Sequence, residues 1–103
     1  MSYYILDENK NTRKVSYEEK IEWARRNTEA NRIALDEIDG ITVSTVFLGI
    51  DHSADGGEIL FETMIFAKGS PLDQYQERCT TYEEALAGHA KAVNMVREGL
   101  KNA

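Results

Sequence analysis

Arg32-Ile33-Ala34-Leu35-Asp36-Glu37-Ile38-Asp39-Gly40-Ile41-Thr42-Val43-Ser44-Thr45-Val46-Phe47 is the stretch on which the fold turns. Helix propensity alone would carry an upstream helix through Ala34, Leu35 and Ile38 to Gly40. Asp39-Gly40 argues against that, because a two-residue Asp-Gly link between apolar runs is a strong hairpin signal. Such a turn pairs Ile38 with Ile41, Asp36 with Val43, Ala34 with Thr45 and Arg32 with Phe47. The opposite face then collects Ile33, Leu35, Val46, Leu48 and Ile50.

Downstream, Ser53-Ala54-Asp55-Gly56-Gly57 reads as another turn. With Ile50 against Ile59 and Leu48 against Phe61, the same face gains Ile59, Phe61 and Ile65. A slip of one residue would place Glu62 there instead. Strands are therefore predicted over 32–38, 41–51 and 58–67, with a short edge strand over 74–79 and another from Tyr3 to Leu6. Helix starts are marked by Ser16-Tyr17-Glu18-Glu19 and Thr81-Tyr82-Glu83-Glu84, both of capping-box form. The first helix is predicted to stop near Ala30, with Tyr17, Ile21, Ala24 and Thr28 on one line and Trp23 beside it. In the other helix, Tyr82, Leu86, His89, Val93, Val96 and Leu100 recur at helical spacing, widened by Ala85 and Ala92. Pro71 marks the clearest loop. The expectation is one α+β domain over 1–103, a two-layer sandwich with an antiparallel sheet of four to five strands and two helices packed on one face.

Composition narrows the function classes. The chain has 103 residues, twelve Lys and Arg against eighteen Asp and Glu, and a net charge of −6. That balance disfavours a free-standing nucleic-acid binder, which needs a basic face. One cysteine excludes a disulfide framework and a zinc finger. No apolar run approaches the ~18 residues of a membrane span, and no charged-then-apolar leader is present, so a cytoplasmic protein without membrane attachment is expected.

The sheet face predicted to be uncovered carries Arg32, Ala34, Asp36, Ile38, Ile41, Val43, Thr45, Phe47, Asp51, Leu60, Glu62, Met64 and Phe66. Arg32, Phe47 and Glu62 form one row in this register. Exposing Phe47, Leu60, Met64 and Phe66 together would mark an interaction site, for a partner or a second copy of the chain. The plain alternative is cover by loops or the N-terminal segment. Asp51-His52 at a strand end suits proton transfer or metal binding, yet neighbours on a strand point to opposite faces. The alternative gives Asp51 to turn amides and His52 to the core edge. His89 reads as a core histidine bonded to a backbone carbonyl, or as part of a polar site with His52 or Glu62. Cys79 precedes a helix start, which can lower a thiol pKa, but a half-buried edge residue is the simpler reading. Gly56-Gly57 leads into a strand and lacks the helix N-terminus of a phosphate loop. Arg25-Arg26 with Arg32 makes a small basic cluster, a solvated face or a partner contact. Asp36-Glu37-Asp39, Glu18-Glu19-Glu22 and Glu83-Glu84 make the surface acidic, which suits docking on a basic protein groove.

Three stretches carry a resemblance. They are Val43-Ser44-Thr45-Val46-Phe47-Leu48-Gly49-Ile50-Asp51-His52, then Leu60-Phe61-Glu62-Thr63-Met64-Ile65-Phe66, then Tyr82-Glu83-Glu84-Ala85 with Gly88-His89. From about Glu22 to Val96 the chain resembles a widespread family of small phage- and prophage-encoded proteins. Among phage accessory proteins it is most similar to the anti-CRISPR proteins directed at type II-A systems, the inhibitors of Cas9. Two departures matter. The turn after Asp51-His52 is shorter than the aromatic, glycine-rich turn usual in the family, and Cys79 stands where an aromatic residue is common.

The resemblance implies a non-enzymatic inhibitor without catalytic residues, metal or cofactor, acting in the bacterial cytoplasm by binding Cas9 or another defence protein. The contact set it suggests is Arg32, Asp36, Phe47, Asp51, His52, Asp55, Leu60, Glu62, Met64 and Phe66. Alanine at Phe47 and Glu62 is expected to weaken inhibition with the fold intact. Two other readings stand beside it. One is a small-molecule binding protein that sequesters a nucleotide signal of another host defence in a pocket near Arg78, Tyr82 and His89. The other is a small metal-dependent hydrolase using Asp51, His52, Glu62 and His89.

Overall fold

The computed structural model describes residues 2–51 and 59–101. In chain order the elements are β1 (Ser2–Leu6), β2 (Thr12–Val15), α1 (Tyr17–Arg26), β3 (Arg32–Ile38), β4 (Ile41–Phe47), β5 (Ile50–Asp51), β6 (Phe61–Phe66), β7 (Gln76–Cys79) and α2 (Tyr82–Lys101). All strand pairs are antiparallel. They form a four-stranded sheet in the order β3-β4-β6-β7 and a three-stranded sheet in the order β2-β1-β5. The fold is α+β, with α2 packed across the larger sheet and α1 leaning on β1.

Asp39-Gly40 makes the tight turn its residue types predict. Both have positive φ, 48° and 82°, the combination required at the two centre positions of a type I′ hairpin. Ile38 pairs with Ile41, Asp36 with Val43 and Ala34 with Thr45, as the turn dictates. Beyond Ala34 a bulge makes Ile33 the extra residue, so Arg32 pairs with Val46 rather than Phe47.

The next pairing differs from the expected register by one residue. Phe47 lies opposite Phe61, Thr45 opposite Thr63 and Val43 opposite Ile65. A one-residue slip exchanges the two faces of a strand. Val43, Thr45 and Phe47 therefore point inward with Phe61, Thr63 and Ile65, and all six are buried. Leu35, Leu48 and Ile59, predicted as core, are among the exposed large apolar residues.

Two features of the chain enforce this register. Gly49 has φ +71°, a backbone conformation that residues with a Cβ rarely adopt. The chain bends there, so Ile50 pairs with Tyr3 in the small sheet instead of continuing β4 towards Ile59. The Tyr4 amide donates to the Gly49 carbonyl at 2.8 Å, tying the two sheets together. The other feature is α2, which turns Ala85, His89, Ala92, Val93 and Val96 to the sheet and leaves Leu86 and Leu100 exposed. The small residues let the helix approach closely. A Cβ on Gly88 would sit 3.8 Å from Thr63 Oγ1.

The helix starts follow the sequence signals. Glu19 N–H donates to Ser16 Oγ at 3.1 Å, and Ser16 N–H to Glu19 Oε1 at 3.4 Å. Glu84 N–H donates to Thr81 Oγ1 at 3.1 Å, and Thr81 N–H to Glu84 Oε1 at 3.0 Å. The first helix ends at Arg26, short of Ala30, where the Asn27 side chain donates to the Trp23 carbonyl at 2.8 Å. Its inward residues are Lys20, Trp23 and Ala24, while Tyr17 and Ile21 are exposed. The strand expected from Tyr3 to Leu6 also has a hairpin partner, β2, that the sequence pattern does not announce. The turn between them is closed by Asp7 Oδ1, which accepts the Asn9 and Asn11 amides at 2.9 Å each.

Tyr4, Leu6, Phe47, Leu60, Phe61 and Ala85 form one buried cluster, with Trp23 and Tyr82 against it. Val43, Ile65, Ala67, Ala92, Val93 and Val96 form the other. The turn expected over 53–57, with Gly56-Gly57, lies outside the described residues, as do His52 and Asp55.

Candidate interaction surface

The face of the large sheet turned away from α2 is built in three rows. They are Glu37-Thr42-Phe66, Leu35-Ser44-Met64-Gln76 and Arg32-Val46-Glu62-Arg78. Leu35 is 44% exposed and Phe66 43%, and Val46 and Met64 are half-buried between them. The result is an apolar stripe bordered by charges. Glu62 does not offer a free carboxylate: it accepts from Arg78 Nε at 2.8 Å and from the Gln76 side-chain amide. That exchange is a cross-strand pair on a half-buried surface, worth about 0.2–1 kcal/mol.

Of the sequence-predicted contact set, Arg32, Glu62, Met64 and Phe66 lie on this face. Phe47 (2% exposed) and Leu60 (0%) are buried in the core instead, because the register slip turns Phe47 inward. Asp51 is also buried and sits in β5 of the small sheet. Asp36 is exposed at the sheet edge but directs its carboxylate inward, to His89. Leu35 and Val46 are the surface residues that sequence reasoning placed in the core. Their signal was present, since alternation marks them as sharing a face, but alternation does not say which face is wet.

His89 is a core residue, though its partners are side chains rather than a backbone carbonyl. Nε2 lies 2.7 Å from Asp36 Oδ2 and Nδ1 lies 2.8 Å from Thr45 Oγ1. Thr45 Oγ1 is in turn 2.7 Å from Thr63 Oγ1. The carboxylate only accepts, so Nε2–H donates to Asp36; in the neutral ring Nδ1 then accepts the Thr45 hydroxyl proton. The network gives each of these inward polar groups a partner, at a point where an unpaired hydroxyl would be costly.

The alternative sites do not assemble. Arg78 is on the outer face, His89 on the inner, and Tyr82 packs at the rim of the Phe47 cluster. Glu62 and His89 likewise face opposite sides of the sheet. Among the described residues no group of three or more His, Cys, Asp and Glu is placed to hold a metal ion. Cys79 is half-buried. Burial and the nearby Glu84 and Glu77 push its thiol pKa up, opposite to what an activated thiol needs. Arg25 and Arg26 both pair with Glu22 on an exposed helix face.

The surface also has hollows that were not visible in the sequence. An open cleft of about 610 Å³ lies between the β1–β2 turn and α1, lined by Asp7, Lys10, Arg13, Trp23 and Asn27 among others. An apolar groove of about 580 Å³ lies where Ile41, Pro71 and Leu72 meet Met95 and Leu100 at the end of α2. Beside the cleft, Lys20 Nζ sits 4.7 Å from the Trp23 ring centroid and 4.8 Å from that of Phe47. Burial lowers its pKa, and the cation–ring contacts offset part of that desolvation. No helix among the described residues is long and apolar enough to cross a membrane. No protein-family profile, curated protein or solved structure matches the chain.

Proposed function

We propose that this protein is a phage-derived inhibitor that works by binding, and that its target is a Cas9-type defence nuclease. The uncovered sheet face carries the reading. Leu35, Val46, Met64 and Phe66 present an apolar stripe rimmed by Arg32, Glu37, Glu62 and Arg78, and such patches on small proteins mark partner contacts. The net charge of −6 favours a basic partner surface, as the nucleic-acid channel of Cas9 provides. Cas9 as the target rests on the family resemblance.

The test is guided DNA cleavage by Cas9 with purified protein added before or after target DNA. Dose-dependent loss of cleavage at near-stoichiometric ratios is expected, and it should be abolished by Leu35→Glu with Phe66→Glu. No inhibition at large excess would overturn the choice of partner. Full inhibition by the double variant would overturn the choice of surface.

A further inference from the structure

β3 is an edge strand, and among the described residues no strand pairs with its outer edge. In a two-residue hairpin the flanking pair, here Ile38 and Ile41, exchanges both backbone bonds, and bonded and non-bonded pairs then alternate. Ile38, Asp36 and Ala34 thus bond to β4, while Leu35 and Glu37 direct their N–H and C=O groups to the free edge. Natural edges are often guarded by an inward-pointing charge or a bulge. Here the inward charge, Asp36, is held by His89 at 2.7 Å, and the bulge at Ile33 lies at one end of the strand.

The geometry points to a two-fold dimer in which β3 pairs antiparallel with β3 of a second copy about Leu35. The argument is one of charge and register. The bulge brings Arg32 onto the outer face, opposite Val46, in the row next to Leu35. Glu37 lies two positions from Leu35 on the other side. A two-fold axis at Leu35 therefore sets Leu35 against its own copy. Arg32 falls across from Glu37 of the copy, twice over. On the inner face Ala34 falls across from Asp36, which leaves the carboxylate free to stay on His89. Shifting by one face position in one direction would oppose Asp36 to itself, and in the other would place Arg32 across from Leu35. The axis at Leu35 is the register that matches opposite charges, as cross-strand pairs require. It joins two four-stranded sheets into one of eight strands, with the two apolar outer stripes side by side.

Sedimentation across a wide concentration range tests this, with circular dichroism to check the fold of each variant. The wild-type chain should dimerise. Arg32→Glu or Glu37→Arg alone should raise the dissociation constant about tenfold or more by opposing like charges. R32E combined with E37R should restore the dimer. Amide exchange supplies a reading that needs no variant: the Leu35 and Glu37 amides should become protected as wild-type concentration rises, while Ala34 and Asp36 stay protected throughout. A wild-type chain monomeric at all concentrations would overturn the proposal. So would a dimer indifferent to both charge reversals, or one whose Leu35 and Glu37 amides exchange freely, since the contact would then lie elsewhere. The cleavage assay on the wild-type chain reads the inhibitor proposal separately, and Phe66→Glu on β6, away from the β3 edge, tests the binding surface without touching the dimer contact.

Discussion

Phe47 stands edge-on to Trp23 and tilted against Phe61, with ring centroids 5.8 and 5.2 Å away. Truncating a buried aromatic both loses apolar burial and leaves a cavity. Phe47→Ala should therefore cost about 3–5 kcal/mol in denaturant unfolding, and a loss under about 1 kcal/mol would place the ring outside the core. It is not a clean probe of binding, contrary to what its sequence position suggested. Another residue-scale effect lies beside β7. Tyr75 Oη donates to Glu77 Oε2 at 2.5 Å; that bond, then burial and the Glu77 charge, push the phenol pKa up to about 12. The folded state holds the proton between the ordinary value of 10.0 and about 12, where the unfolded chain releases it. The bond's contribution is thus complete below pH 10.0 and is lost as pH rises towards about 12. Unfolding free energy should fall across that window, and Tyr75→Phe should flatten the fall. An unchanged slope in the variant would assign it to other groups. Capping residues and the Asp39-Gly40 turn were legible at this scale because their chemistry is local: a hydroxyl three residues from an amide, or a φ that few residues tolerate.

At the scale of elements, α2 is clamped to the sheet through His89. The imidazole joins Asp36 on β3 to Thr45 on β4, and Thr45 reaches Thr63 on β6. His89→Ala should destabilise by about 1–3 kcal/mol because two buried threonine hydroxyls lose their terminal partner. Asp36→Asn keeps an acceptor in place and should cost less; thermal unfolding of the two variants would rank them, and the reverse order would contradict this arrangement. The same network explains why the β4–β6 register escaped the sequence. The inward face carries Thr45 and Thr63, whereas the outward face carries Leu35, Val46 and Met64. On β3 the outward Leu35 is more apolar than the inward Asp36, whereas on β4 and β6 the inward Val43, Phe47, Phe61 and Ile65 are the more apolar set, so neighbouring strands point to opposite answers. Only a histidine arriving from a helix 44 residues after Thr45 makes the threonine pair acceptable inside.

For the whole molecule, the uncovered sheet face is the surface with consequences. Phe66→Glu places charge on an exposed position away from the β3 edge, so it should change stability by no more than about 0.5 kcal/mol while inhibition of cleavage is weakened. A fold that collapses in this variant would show that the face is packed against something. The α+β class, the two capped helices and the Asp39-Gly40 hairpin were determined by the sequence itself, since each follows from residues close together in the chain. The break of β4 at Gly49 into the smaller sheet, the inward turn of Phe47 and the wet side of the large sheet were decided by tertiary structure. Alternation gives two faces of comparable apolarity, and the choice between them depends on which one α2 can reach with its small residues and His89. That contact joins residues from distant parts of the chain, and no local pattern encodes it.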